Sequence, residues 1–358
     1  MSKTKLNLLI CPGDGIGTEI SAANLKIIDY LIASDSLPLT YQTEEVGLTA
    51  LKASGSTFPD SVLETGRNCD GIILGPVSHL DYPTAEQGGR NPSGGFRIGL
   101  DLYANIRPAK TRSSVPAYTS QDMDLVIVRE NTEGFYADRN MFFGNGEFMP
   151  TPDVALAIRK ITRQSCERIA RQAFVLANTR KKKVTAVHKA NVMKATDGLF
   201  LEEVRKIAKE YPQIEYEETL VDAMAALLVR QPQKYDIIVT TNMFGDILSD
   251  QASELAGGLG LAGSLNAGES HAMAQAQHGS APDIAGQNIA NPTSLILSTA
   301  MLLHWLGKRH QLPTLNRSAV ALEQAIEKSL ESENTRTKDL GGTLGTDAFT
   351  NAVIRQLK

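Results

Sequence analysis

A doubly wound α/β fold follows from three features of this 358-residue chain. Five short apolar, β-branched runs recur along it: Leu6 to Cys11, Gly71 to Leu74, Asp124 to Val128, Val184 to Val187 and Asp236 to Thr241. Such runs suit parallel strands buried on both faces. Helical patterns separate most of them, as βαβ units require. Three of the runs end in polar or ionisable groups: Arg129-Glu130, His188-Lys189, and Asn242 leading on to Asp246. In open α/β sheets, ligands sit outside the carboxyl ends of the strands. A chain this long exceeds one simple core, so two lobes are expected.

Composition narrows the function. A 42% hydrophobic and 21% charged sequence suits a soluble globular protein. The net charge of -4 argues against nucleic acid, which needs a basic excess. The three cysteines, Cys11, Cys69 and Cys166, are scattered and form no C-x-x-C. That predicts a reducing, cytoplasmic compartment and no thiolate metal site. The chain runs straight into its first strand, with no signal peptide expected. The most apolar helix, Thr293 to Leu306, is too short to span a bilayer.

Taken in order, Pro12-Gly13-Asp14-Gly15-Ile16-Gly17 follows the first strand and imitates a dinucleotide loop. Its spacing is G-x-G-x-G rather than G-x-G-x-x-G, and Asp14 would face a pyrophosphate with like charge. A tight turn at a cleft mouth is the expected role. Along Asp101 to Arg107, strand alternation places Tyr103, Asn105 and Arg107 on one face. Tyr136 to Pro150, aromatic and Gly-containing, is expected to be an arm or flap. Thr151-Pro152-Asp153 predicts a helix start, with Thr151 as cap and Pro152 in first position. Val154, Ile158, Ile161, Ile169, Ala173 and Leu176 then recur at helical spacing. Arg180 to Lys183 is read as a solvated loop ahead of a strand. A second such helix is expected from Asn291-Pro292 to Gly307, apolar nearly all round and therefore buried.

After the fifth run, Asn242-Met243-Phe244-Gly245 turns the chain into a helix bearing Asp246 and Asp250. Four residues apart, both carboxylates share one face, about 5–6 Å apart at Cβ. Two readings stand: acids favoured near a helix start by its dipole, or a pair holding a cation.

Seven ordered stretches together resemble the isocitrate/isopropylmalate dehydrogenase family of β-decarboxylating enzymes. They are Pro12 to Gly17, Asp101 to Pro108, Val128 to Tyr136, His188 to Asn191, Val221 to Met224, Asp236 to Asp250, and His278 to Gly286. The resemblance implies that family's two-domain fold, a doubly wound sheet distinct from a standard Rossmann fold. Residues 1–102 plus 257–358 would form the large, cofactor-side domain. Residues 103–256 would form the small domain, with the dimer interface and an arm near 137–150. The implied reaction oxidises a 2-hydroxy acid with NAD(P) and a divalent cation, then loses the carboxylate at C3.

The residue roles carried by the resemblance fit that chemistry. Asp222, Asp246 and Asp250 offer only oxygen ligands, which select Mg2+ or Mn2+ over zinc. Arg97, Arg107 and Arg129 would hold substrate carboxylates through two-pronged hydrogen bonds. Lys189 would take the hydroxyl proton and Tyr136 would return one to the enolate. Lys189 and Asp222 would come from the second subunit of a homodimer. The cofactor would bind His278, Gly279, Ser280, Ala281, Pro282, Asp283, Ile284 and Asn291, together with Asn191 and Asn242. Asp283 would accept from the ribose hydroxyls and repel a 2′-phosphate, so NAD is expected rather than NADP. Gln275 stands where many relatives carry an acid thought to hold the nicotinamide ribose.

The family reads its substrate's variable arm with the stretch Gln87 to Arg97. Ser93, Gly94 and Gly95 provide no apolar wall there. Asn91 and Ser93 point to a polar, tricarboxylate-like acid such as isocitrate or homoisocitrate, with Arg90 a further candidate. The alternatives are 3-isopropylmalate, D-malate or tartrate and, from another class, a non-catalytic regulatory subunit of an NAD-isocitrate dehydrogenase.

Overall fold

The structure is a computed structural model that describes residues 5–136, 141 and 146–358. Its strands are β1 (Leu6–Cys11), β2 (Leu39–Thr43), β3 (Gly71–Leu74), β4 (Ala104–Lys110), β5 (Asp124–Glu130), β6 (Glu147–Thr151), β7 (Val154–Ala157), β8 (Lys183–His188), β9 (Glu215–Leu220), β10 (Ile237–Thr240), β11 (Leu265–Ala267) and β12 (Ala272–Gln275). All five runs read from the sequence are strands, each within two residues of its expected bounds. Ten strands form one sheet in the order β2-β1-β3-β12-β11-β4-β5-β10-β8-β9. Most neighbours are parallel. Antiparallel pairs, β12–β11–β4–β5, join its two halves.

The hydrophobic cores divide along the same line. Two clusters draw almost wholly on residues before 103 and after 260, against the half containing β1 and β3. Two others draw on residues 104–256, around β5, β8 and β10. β3 and β10 are buried along their whole length, which explains their unbroken apolar sequences.

The sequence misplaced one helix. Residues 147–157 form a two-stranded antiparallel ribbon, β6–β7, with its turn at Pro152-Asp153. The helix runs instead from Arg163 to Ala177, and its cap is Thr162, whose side chain accepts from the Ser165 amide at 3.2 Å. Val154, Leu156 and Ile158 alternate with period two, and that strand signal outranked the threonine–proline start. Of the expected arm, 137–140 and 142–145 lie outside the described residues. The second helix spans Thr293–Arg309. Gly307, expected to end it, lies inside, where its missing side chain admits Asn316.

Candidate active site

The Asn242–Ala256 helix starts directly at Asn242 and packs across β4 and β5. Gly245 makes that approach possible. A Cβ there would come within 2.6 Å of the Arg129 Cβ and Cγ. Asp246 and Asp250 therefore face two arginines from neighbouring strands. Arg107 donates from Nη1 to Asp246 Oδ1 at 3.3 Å, to Asp250 Oδ1 at 3.0 Å and to Ser249 Oγ at 2.8 Å. Its Nε donates to Asn105 Oδ1 at 2.9 Å, so the expected shared face of Asn105 and Arg107 is present. Arg129 donates from Nη1 to Asp246 Oδ1, and from Nε and Nη2 to Asn242 Oδ1 at 3.1 and 2.7 Å.

Both guanidinium groups are buried. Burial first, then the adjacent Arg107 charge, pull the Arg129 guanidinium down to about 10, while Asp246, Tyr136 and Asp250 oppose the shift. Tyr136 thus lies near enough to act on the Arg129 charge. The arginines use only the Oδ1 atoms of the two aspartates. Among the described residues no donor reaches either Oδ2. Two carboxylate oxygens so left, on a helix face that is more than a third exposed, fit a hard divalent cation.

Within one chain the third carboxylate is elsewhere. Asp222 opens the Val221–Arg230 helix and accepts from Lys189 Nζ at 2.5 Å. That hydrogen bond is the chief reason its carboxyl is held below the usual range. Among the described residues no three His, Cys, Asp or Glu side chains converge as metal ligands would. Lys189 is anchored from below, its backbone N–H donating to the buried Asp197.

The acids of Arg129-Glu130-Asn131-Thr132-Glu133 face the scaffold. Glu130 accepts from the Thr132 and Glu133 amides, and Glu133 accepts from both the amide and the hydroxyl of Thr162. Burial raises the Glu133 carboxyl to about 7. The motif therefore both presents Arg129 and fixes the cap of the next helix.

The substrate-arm stretch is the helix Pro92–Gly99. Asn91 caps it, accepting from the Gly94 amide at 3.2 Å. Ser93 Oγ donates to Gln275 Oε1 at 2.9 Å, and Arg97 Nη2 donates to the same oxygen at 3.3 Å. Gln275 is therefore a partner of the Pro92–Gly99 helix, a contact its sequence position did not suggest. Gly95 lets the helix lie on the Phe58 ring. Arg90 is committed to Asp60 at 2.6 Å.

The expected cofactor loop leaves β12. His278 Nδ1 donates to the Gly279 carbonyl at 2.9 Å, which leaves Nε2 a buried acceptor without a partner among the described residues. Burial lowers its pKa and keeps the ring neutral. Ala281 is left-handed with φ of 37°, and the 3-10 turn Pro282–Ile284 follows. Asp283 is exposed, and no side-chain partner of its carboxylate lies among the described residues. An unpaired carboxylate and a neutral, orphaned imidazole in one loop fit a polyhydroxylated ligand such as a dinucleotide ribose. Ser280 holds the loop down. Its hydroxyl meets Ser78 Oγ at 2.7 Å, and its carbonyl accepts from the Ile16 amide at 2.8 Å. The Pro12 to Gly17 turn thus buttresses the loop. Asp14 is spent on the Leu48 and Ser78 amides and the Tyr82 hydroxyl. Asn291 is buried against Asp339 at 2.9 Å and caps Thr293. Asn191 is exposed.

Sequence reasoning missed Ser249 and Gln277. Ser249 lies three residues after Asp246, so helical spacing alone places it on that face. Gln277, which donates to Asp250 Oδ1 at 2.9 Å, has no local signal.

Known proteins resemble this chain along nearly its whole length. Residues 7–353 match the family model described as isocitrate/isopropylmalate dehydrogenase. A 3-isopropylmalate dehydrogenase of Archaeoglobus fulgidus is 43% identical over 98% of this chain and 99% of its own. An isocitrate/homoisocitrate dehydrogenase of Thermus thermophilus is 41% identical over 98% of each chain. A crystal structure of isocitrate dehydrogenase from Methylococcus capsulatus superposes with a TM-score of 0.87 at 39% identity, covering 98% of this chain and 99% of that one. The chain belongs to the isocitrate/isopropylmalate dehydrogenase family.

Proposed function

We propose that this chain is an NAD-dependent, Mg2+- or Mn2+-dependent dehydrogenase that oxidises and decarboxylates a 3-carboxy-2-hydroxy acid. The observation that carries the reading is the convergence of Arg107 and Arg129 on Asp246 and Asp250, with both Oδ2 atoms left for a cation. Arg97, Arg107 and Arg129 bind substrate carboxylates and fix the C2–C3 bond. Asp246 and Asp250, completed by Asp222 of a second copy, hold the cation. When bound, that cation would supply positive charge against the negative charge that develops as CO2 leaves, and NAD would be the oxidant that accepts the hydride. Lys189 of the second copy removes the hydroxyl proton, and Tyr136 returns one to C3. Asp283 holds the ribose. Asn242 keeps Arg129 in place and offers its amide N–H to the cofactor.

The homodimer is supported by apolar side chains that one chain leaves exposed. Phe148, Met149, Val154 and Leu156 lie on the β6–β7 ribbon, and Ile247 and Val229 lie on helices. An isolated two-stranded ribbon is marginal in water and needs a surface to cover it. Residues 103–256 form the small domain that makes this contact. Sedimentation should find a dimer, and Phe148→Asp should weaken it. A stable, fully active monomer would refute the shared site.

For the substrate, a polar third arm is favoured by Ser93 and the glycines of the Pro92–Gly99 helix, which offer no apolar wall. A second reading, 3-isopropylmalate, is favoured by relatives of that name. Comparing kcat/KM for isocitrate, homoisocitrate, 3-isopropylmalate, D-malate and tartrate with NAD and Mn2+ decides between them. No NAD reduction with any of these acids would sink the reaction class and favour a regulatory subunit.

A further inference from the structure

Where β12 ends, the chain runs Gln275-Ala276-Gln277-His278. The first glutamine reaches Ser93 and Arg97 of the substrate-arm helix. The second crosses to the Asn242–Ala256 helix, where its Nε2 donates to Asp250 Oδ1 at 2.9 Å. Its backbone N–H is tied as well, donating to Ser294 Oγ at 3.1 Å. The side chain is therefore anchored at both ends. Its Oε1 is buried and has no hydrogen-bond partner among the described residues. A buried acceptor left unpaired works against folding stability. That cost offsets much of what the bond to Asp250 contributes, so net stability is a weak reason for a glutamine here.

The bond joins two parts of the reading given above, on which this inference rests. Asp250 is a carboxylate of the cation site. Gln277 is the residue before His278, where the cofactor loop begins. Asp250 Oδ1 also accepts from Arg107 at 3.0 Å, so the two donors together hold that oxygen and leave Oδ2 for the ion. Hydrogen bonds behind a ligating carboxylate set its direction and its basicity. We propose that Gln277 is a positioning residue that couples the two sites. By orienting Asp250 it strengthens cation binding, and by holding residue 277 it orders the loop that takes NAD. Occupation of either site then favours the other. Because coupling is reciprocal, the factor is the same in both directions.

The test uses the full-length protein and calorimetric titrations of Mn2+ and of NAD, each with and without the other. In the wild type, each Kd should fall about fivefold or more when the other ligand is present. In Gln277→Met, which keeps the length and loses the donor, that factor should shrink to below about twofold. Mn2+ affinity alone should fall about tenfold. Thermal stability should change little, because the variant loses the unpaired acceptor and the bond to Asp250 together. Gln277→Val repeats the test should the methionine variant fold poorly. Coupling that persists in either folded variant overturns the proposal. So does a marked loss of thermal stability in both variants with coupling intact, which would make Gln277 a structural residue. Wild-type protein that binds neither ligand overturns the proposed function itself, and this inference with it. Wild-type binding of both without mutual effect overturns only the coupling.

Discussion

The arginine–aspartate centre and the proposed cofactor loop sit in one molecule and are built in opposite ways. At the centre, Arg107 and Arg129 are buried, and each is held by two or more partners from other elements. In the loop, Asp283 stands exposed and, among the described residues, the His278 ring is bonded only to the next one. The first region has its geometry before any ligand arrives, so a substitution there disturbs folding and chemistry together. The second is tied down at Ser280, through its hydroxyl and its carbonyl, while the exposed Asp283 side chain is free to change selectivity at little cost in stability. On the proposed function, reaction type belongs to the first region and cofactor choice to the second.

The largest break in that comparison would come from the proton-transfer groups. Lys189→Met or Tyr136→Phe should lower turnover by about 10²- to 10⁴-fold, the usual worth of a general acid or base. Equilibrium titration should find NAD affinity within about twofold of wild type. Loss of NAD binding in step with turnover would show that the two regions are not separable.

Next comes Gly245→Ala. The added methyl meets the Arg129 side chain at 2.6 Å, so the helix or the arginine must shift. Overpacking of this kind costs about 1–3 kcal/mol. Denaturant unfolding should register it, together with a raised KM for the acid. An unchanged KM would place Arg129 outside the substrate site.

Glu133 sharpens the contrast through pH. Its folded pKa of about 7 lies above the ordinary carboxylate value, so the folded protein binds the extra proton. Its contribution is fully present below about pH 4.5 and is lost as pH rises to about 7. Glu133→Gln should flatten the stability profile across that window by about 2 kcal/mol. Parallel slopes for the two proteins in urea titrations at pH 5 and 7.5 would refute it.

The smallest effect on stability and the cleanest on selectivity belongs to Asp283→Lys. It should move the NADP/NAD ratio of kcat/KM toward NADP by about tenfold or more, because a cation replaces the charge that repels a 2′-phosphate. The melting temperature should stay within a degree or so. A ratio that does not move would remove Asp283 from the ribose site.

What the sequence disclosed depended on how local the signal was. β1, β3, β5, β8 and β10 were legible because a strand buried on both faces must be apolar throughout. Asp246 and Asp250 were legible as a pair because helical spacing is fixed. Ser93, Arg97, Arg107 and Arg129 were recognised through motifs, but their partners were not. Gln275 and Gln277 each pair with residues far away in sequence, and no periodicity reports such a meeting. β4 was read only through its face, and β11 and β12 not at all, being three- and four-residue segments in a Gly- and Ala-rich stretch. Thr162 was passed over as a cap because Thr151-Pro152 satisfied the same local rule earlier in the chain, and only the ribbon's alternation argued against it.

The insertion of β12 and β11 between β3 and β4 has a consequence for how the protein is made. Residues 265–275 occupy the middle of a sheet whose flanking strands, β3 and β4, end by residue 110. A ribosome-bound chain must therefore keep two exposed β edges apart from each other until three-quarters of it has been synthesised. Contacts this distant along the chain slow folding, and unpaired edges invite aggregation. Chaperone dependence and low yield on rapid overexpression are the expected signature, and a circular permutant that begins near residue 257 should relieve both.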